Sequence, residues 1–175
     1  MVAIKISRMR TKYLQGLYEF NKSLSTKTRR FVSPILGDEK YWKGILPALK
    51  RKVSMAIIAS HFLRRILAKF TPALAFTAFV ATDNGKVVGI VWLSYSSPRS
   101  GCIGIYIADA YQNKGIGTAL LRRAIDAARE EEMDKVTLSV IADNPRAIRV
   151  YRKCGFHVVN RVLAMELDLH SPSEK

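Results

Sequence analysis

Two glycines, Gly115 and Gly117, close the stretch Gln112-Asn113-Lys114-Gly115-Ile116-Gly117-Thr118, directly ahead of a run with helical period. Without Cβ atoms they let the backbone approach a ligand closely. The helix behind them points its first free N–H groups and the positive end of its dipole into the same loop. That combination receives an anion, most naturally a phosphate or pyrophosphate. A second group of functional side chains follows at a fixed distance: Asn144 before Pro145, then Tyr151, then Gly155-Phe156. Asn144 can cap a helix or hold a ligand amide, and Tyr151 can donate a proton or fill a half-buried aromatic position. The residues themselves leave both pairs of readings open. Gly115-x-Gly117 lacks the third glycine of a dinucleotide fingerprint, and the chain has no Gly-x-x-x-x-Gly-Lys-Ser/Thr phosphate loop.

The elements that must position these residues alternate between strand and helix patterns. Val2–Ile6 is expected as a first strand, Lys12–Leu24 as a helix with Leu14, Leu17 and Tyr18 on one face, and Ser25–Pro34 as a basic loop or short helix. Gly37–Leu49 is irregular to weakly helical around Trp42. Met55–Phe70 has a clear helical period, with His61, Arg64, Arg65 and Lys69 on its polar side; a membrane or partner helix could take its apolar face, but the chain's own core is the commoner destination. Leu74–Ala81 and Lys86–Tyr95 are strands around the hairpin signal Asp83-Asn84-Gly85. Cys102–Ile107 is a third strand of this group, Thr118–Glu131 a helix, Lys135–Ile141 a strand and Arg146–Lys153 a short helix. An Asp143 or Asn144 cap precedes that helix and Gly155 stops it. Phe156–Asn160 and Val162–Leu169 are the last expected strands. The order indicates an α/β domain with a mixed sheet, a single domain over 1–170, and a frayed tail over 171–175.

Composition bounds the partners. With 175 residues, 49% apolar and 25% charged, the chain is long enough for one ordinary core. Cys102 and Cys154 form neither a metal-ligand spacing nor a disulfide framework, so no metal is expected. The amino terminus lacks a sustained apolar core and no run is long enough for a membrane span, which makes the cytoplasm the expected location. The net charge of +15 is uneven: residues 1–100 carry 18 Lys/Arg against 4 Asp/Glu, and residues 101–175 carry 11 against 10. The basic half could attract nucleic acid, a membrane surface, an acidic substrate or a polyanionic cofactor.

Taken together, Ile105-Tyr-Ile-Ala-Asp-Ala-Tyr-Gln112-Asn-Lys-Gly115-Ile-Gly117 and Asn144-Pro-Arg-Ala-Ile-Arg-Val-Tyr151-Arg-Lys-Cys-Gly155-Phe156 closely resemble the GNAT superfamily of acyl-CoA-dependent N-acetyltransferases. That pattern runs Gln/Arg-x-x-Gly-x-Gly/Ala, a strand, an Asn, a helix bearing Tyr, and Gly-Phe, and it covers residues 74–169 here. The resemblance implies a mostly antiparallel mixed sheet of about six to seven strands flanked by helices, with an extra helical segment between the first helix and second strand. It implies acetyl-CoA as co-substrate and direct attack by a primary amine. Backbone groups of Ile105, Tyr106 and Ile107 would pair with the pantetheine arm. Gln112, Asn113, Lys114, Gly115, Ile116, Gly117 and Thr118 would form the pyrophosphate loop, Asn144 would contact pantetheine, and Tyr151 would protonate the departing thiolate as general acid.

The departures from the pattern matter as well. Relatives often carry a glutamate on the strand before the loop or on the next strand; Gly101–Ile107 and Val136–Ile141 contain no acid. Asp109 stands where relatives often have proline, and reads either as a proton acceptor or as a loop-stabilising residue. A relayed water or an amino-terminal acid such as Glu19, Asp38 or Glu39 would otherwise serve as base. The missing acid suggests an alternative, a catalytically silent acyl-CoA-binding module. The basic half suggests another, an acetyltransferase acting on a nucleic-acid-associated acceptor, although no nucleic-acid motif accompanies the charge. The identity of the amine and the existence of a homodimer are left open.

Overall fold

A computed structural model of the chain describes residues 4–29, 76–97 and 99–160. Strand β1 (Ile4–Arg8) leads through a 3-10 turn at Thr11–Tyr13 into α1 (Leu14–Lys22) and the four-residue α2 (Thr26–Arg29). Then come β2 (Phe76–Asp83), β3 (Lys86–Ser97), β4 (Ser100–Ile107), a 3-10 turn (Asp109–Tyr111), α3 (Ile116–Glu130), β5 (Lys135–Thr137) and α4 (Pro145–Lys153). The five described strands lie in the order β1-β2-β3-β4-β5. The first three pairings are antiparallel and β4–β5 is parallel.

Local chemistry explains the pairings. Asn84 and Gly85 take φ of 46° and 81°, the two positive values that a tight hairpin turn requires between twisted strands. Apolar residues alternate across the sheet and build a core on each face. On one face, Leu14, Leu17 and Phe20 of α1 pack with Leu24 on Ala78, Val80, Val87 and Ile90, flanked by Tyr13, Tyr18, Trp92 and Tyr106. On the other, Ile116, Leu120, Leu121, Ala124, Ala127 and Ala128 bury the helical stripe of α3 against Phe79, Ala81, Val88, Val91, Leu93 and Ile103. Leu120 and Leu121 are wholly buried, and each such side chain contributes about 1.5–3 kcal/mol.

Among the described strands the sheet opens between β4 and β5. β4 pairs with β5 at Ser100–Lys135, Gly101–Val136 and Cys102–Thr137, and pairing stops there. Its other edge stays bonded to β3 as far as Ile107, opposite Gly89. From Ile103 onward β4 therefore has no described strand on its β5 side.

Several expected boundaries shift. The first strand, expected over Val2–Ile6, is described from Ile4 and runs on to Arg8, because Ser7 and Arg8 still find partners in Val80 and Phe79 of β2; Val2 lies outside the described residues. The strand expected over Lys135–Ile141 ends at Thr137, where β4 is no longer within reach. Phe156–Asn160 forms no ladder with any described strand. Asn144, not Asp143, caps α4. Trp42, the Met55–Phe70 helix and the Val162–Leu169 strand lie outside the described residues, as does all but α2 of the extra helical segment.

Gly104 of β4 lies directly opposite Trp92 of β3. A Cβ at Gly104 would come within 2.0 Å of the indole Cζ2, so the glycine is what lets the indole lie on the strand. Gly104→Ala should lower unfolding stability by about 1–3 kcal/mol through overpacking, read as an earlier urea midpoint; an unmoved midpoint would show that the indole is free to yield.

Candidate active site

The opening beside β4 is bounded by the strand's own backbone, the start of α3, and α4. Alternate residues of an antiparallel strand direct both backbone groups to the same neighbour. Cys102 C=O accepts from Ser94 Oγ on the β3 side at 3.3 Å, whereas Gly101 C=O accepts from Thr137 Oγ1 on the β5 side at 3.3 Å. Ala108 N–H donates to Val88 C=O at 2.9 Å. By this alternation Gly104 and Tyr106 spend their backbone groups on β3, and those of Ile103, Ile105 and Ile107 face the opening. Of the three residues expected to face a pantetheine arm, Ile105 and Ile107 thus direct backbone groups into the opening. Tyr106 instead sends its ring to the α1 side, 5.1 Å from Trp92.

The start of α3 is bare of internal anions. Gly115 is the N-cap at φ 79°, makes no side-chain cap, and the first turn holds no acidic residue. The first intrahelical bond runs from Ala119 N–H to Gly115 C=O at 3.0 Å. The N–H groups of Ile116, Gly117 and Thr118 therefore project from the helix start, where the macrodipole amounts to roughly half a positive charge. Nothing lies within 4 Å of a Cβ built at Gly115, so its left-handed conformation, not crowding within the chain, calls for glycine there. Asn113 is also left-handed, at φ 60°. Lys114 is exposed, with Nζ 5.2 Å from the Tyr111 ring centre. The side chain of Ile116 is buried in the core and locks the helix start to the sheet.

Gln112 is less a ligand than a tie. Its Nε2 donates to Ile107 C=O at 3.1 Å and to Thr28 Oγ1 at 3.4 Å, and its Oε1 accepts from Arg146 of α4. The side chain thereby takes the last outward carbonyl of β4 and joins the loop to α2 and α4.

Helix α4 carries Asn144 and Tyr151. Asn144 Oδ1 accepts from Ala147 N–H at 3.2 Å, which makes it a true helix cap. At the other end Gly155, at φ 93°, lets its N–H return to Arg152 C=O and the Phe156 N–H return to Tyr151 C=O. This is a Schellman stop, and its apolar partner contact is the Tyr151–Phe156 ring pair, 6.2 Å between centres. Gly155-Phe156 thus works as a clamp on Tyr151. The half-buried Tyr151 packs against the α3-side core. Burial first, and the nearby Tyr106 second, push its phenol up to about 12, so it is protonated at neutral pH.

Asp109 accepts from Ser25 N–H at 3.0 Å, Ser25 Oγ at 2.9 Å and Thr28 Oγ1 at 2.5 Å. Burial alone would raise its carboxyl, but these hydrogen bonds outweigh burial and hold it below the usual carboxylate range. It is committed to α2, which favours the loop-stabilising reading over proton acceptor. The tie had one visible signal in the sequence, an acid in a position that favours proline. Glu19 is exposed on α1 and accepts from Gln15 Nε2 at 3.1 Å; Asp38 and Glu39 lie outside the described residues.

Known proteins share sequence and fold with this chain. Residues 54–156 match the model of the acetyltransferase (GNAT) family. The chain is 32% identical over 95 residues to a mycothiol acetyltransferase of Jonesia denitrificans, covering 53% of this chain and 30% of that protein. It spans less than half the length of the first curated relatives it matches, 46% and 30%. A GNAT-family acetyltransferase structure from Streptococcus pneumoniae shares the fold at TM-score 0.66 and 23% identity, over 90% of this chain and 87% of that one. So does the PaiA N-acetyltransferase of Thermoplasma acidophilum in complex with coenzyme A, at TM-score 0.65 and 17% identity, over 91% and 93%.

The raised Tyr151 pKa carries a sign. The folded phenol titrates near 12 against an ordinary 10.0, so the stability tied to its neutral form is complete below pH 10 and is lost as pH rises towards 12. Unfolding stability of the wild type should fall more steeply over that window than that of Tyr151→Phe. Parallel profiles would mean that the ring is not held in an apolar setting.

Proposed function

Because the chain belongs to the acetyltransferase (GNAT) family, we propose that it transfers an acetyl group from acetyl-CoA to a primary amine, with Tyr151 as general acid. What supports this reading is that the outward backbone groups of Ile105 and Ile107 lie beside the projecting N–H groups of the α3 start, with the protonated Tyr151 packed on the same side of the sheet as Ile105 and Ile107.

The residues present fit the co-substrate. Outward N–H and C=O groups of Ile105 can pair with a pantetheine amide as a strand would, and so can the Ile107 N–H. Amides from Asn113 to Thr118, with Lys114 beside them, suit a pyrophosphate. Asn144 contributes through the cap that fixes α4, and its side-chain N–H groups remain able to meet pantetheine.

Acetyl-CoA supplies an activated acyl carbon on a sulfur leaving group. As the amine nitrogen bonds to that carbon and the C–S bond breaks, the sulfur needs a proton and the amine must lose one. Tyr151 Oη can meet the first need: it is protonated at neutral pH, passes its proton to the thiolate as the C–S bond breaks, and regains one from solvent before the next turnover. The amine's proton leaves through water or to an amino-terminal acid such as Glu19, Asp38 or Glu39, because the strands flanking the opening carry no acid. Outward N–H groups on β4 can polarise the thioester carbonyl. The single domain proposed over 1–170 would hold all of these parts.

The amine class is tested by measuring coenzyme A release from acetyl-CoA with free amino acids, peptides with free amino termini, a lysine-containing peptide and spermidine. Release with at least one of these is expected, and no release with any would favour the silent binding module. With the active amine, Tyr151→Phe should lower kcat by about 10²-fold or more and leave acetyl-CoA affinity within a factor of about two, well under 1.4 kcal/mol. An unchanged kcat would remove Tyr151 from the acid role.

A further inference from the structure

We propose that Asp109 is a positioning residue for the amine: its carboxylate pins α2 to the cofactor loop, on the face of the sheet from which the amine reaches the thioester. This rests on the acetyltransferase reading above and adds a residue and a direction of approach to it.

The direction follows from the two cores. Ile103, Ile105, Ile107 and Tyr151 pack on the α3 side, which α3 and α4 close. The opposite side of β4 presents Gly104 and Tyr106, roofed by Trp92 and by the α1 core. Among the described residues, this second side is the one along which the chain runs from α1 into α2, and it is the side assigned here to the amine.

Asp109 joins that chain to the cofactor loop across 81 and 84 residues of sequence. Its carboxylate's bonds to other described residues all go to Ser25 and Thr28. Ser25 Oγ also caps α2 by accepting from Thr28 N–H at 3.2 Å. Thr28 meets Gln112 Nε2, which in turn bonds Ile107 C=O. One short relay therefore runs from α2 to the outward edge of β4. The backbone does not itself demand an acid at this position. Ala108, at φ −55° and ψ 141°, has the extended conformation that a residue before proline favours, and Asp109 begins a helical turn where a proline fits. The carboxylate, which the local geometry does not need, is what holds α2.

Two variants test this in the full chain. Asp109→Pro keeps the turn and deletes the carboxylate; Thr28→Val cuts the tie from the other end, taking the Thr28 hydroxyl from both Asp109 and Gln112 while leaving every loop residue in place. With the amine identified by coenzyme A release, both should raise the amine KM roughly tenfold, the scale of one lost charge-assisted contact. The acetyl-CoA KM and the acetyl-CoA affinity from calorimetry should stay within about twofold. In the same samples, amide hydrogen exchange at Ser25 and Thr28 should speed up while that of α4 is unchanged. An unchanged amine KM, or an acetyl-CoA affinity that falls in step with it, would overturn the proposal. If no amine is turned over even by the wild type, the transferase reading fails by itself, and the exchange data still decide whether Asp109 holds α2: unaltered exchange at Ser25 and Thr28 would sink the tie.

Discussion

The arrangement depends on a single event in the sheet, the parting of β4 from β5 after the Cys102–Thr137 pair. A strand bonded on one edge carries unpaired N–H and C=O groups on the other, and such an edge is a template for another extended chain. Here the divergence sits beside a helix start that lacks an acidic residue, so on the proposed reading the edge and the dipole would suit one elongated ligand with an anion at one end. The pantetheine pyrophosphate of coenzyme A has that form. The remaining structure keeps this gap in shape: α3 anchors through Ile116, Leu120 and Leu121, and Gln112 ties the loop to the last outward carbonyl of β4.

Tyr151 shows how backbone rules and chemistry meet. Among the described residues its placement comes from the way its helix stops. Gly155 alone can take φ of 93° without strain, and this turns Phe156 back so that its N–H finds the Tyr151 carbonyl and its ring finds the Tyr151 ring. The same packing removes the phenol from water and keeps it protonated. A single local motif therefore supplies both the position and the protonation state of the proposed acid.

Much of this was legible in the chain. Gly115-x-Gly117, the Asn84-Gly85 hairpin and the Asn144-Pro145 start are local signals, fixed by positive φ and capping, and each lies where the spacing puts it. The amphipathic stripe of α3 is likewise a matter of period. What the chain could not disclose is non-local. Strand ends depend on partners, so β1 runs two residues past its expected end and β5 is shorter than expected. Backbone direction depends on register, which is why Tyr106 turns out to face β3 and the α1 side while Ile105 and Ile107 face the gap. Gln112 and Asp109 act through residues more than eighty positions earlier, and no spacing rule reaches that far.

The central claim is that acetyl-CoA lies along the outward edge of β4 with its pyrophosphate at the start of α3. Amide NMR of the full chain during an acetyl-CoA titration tests it most directly. The account predicts the largest shifts at Ile105 and Ile107 and from Asn113 to Thr118, with smaller ones at Gly104 and Tyr106, whose N–H groups are bonded to β3. Shifts confined elsewhere, such as the cavity lined by Arg8, Thr77, Phe79 and Arg123, would contradict it.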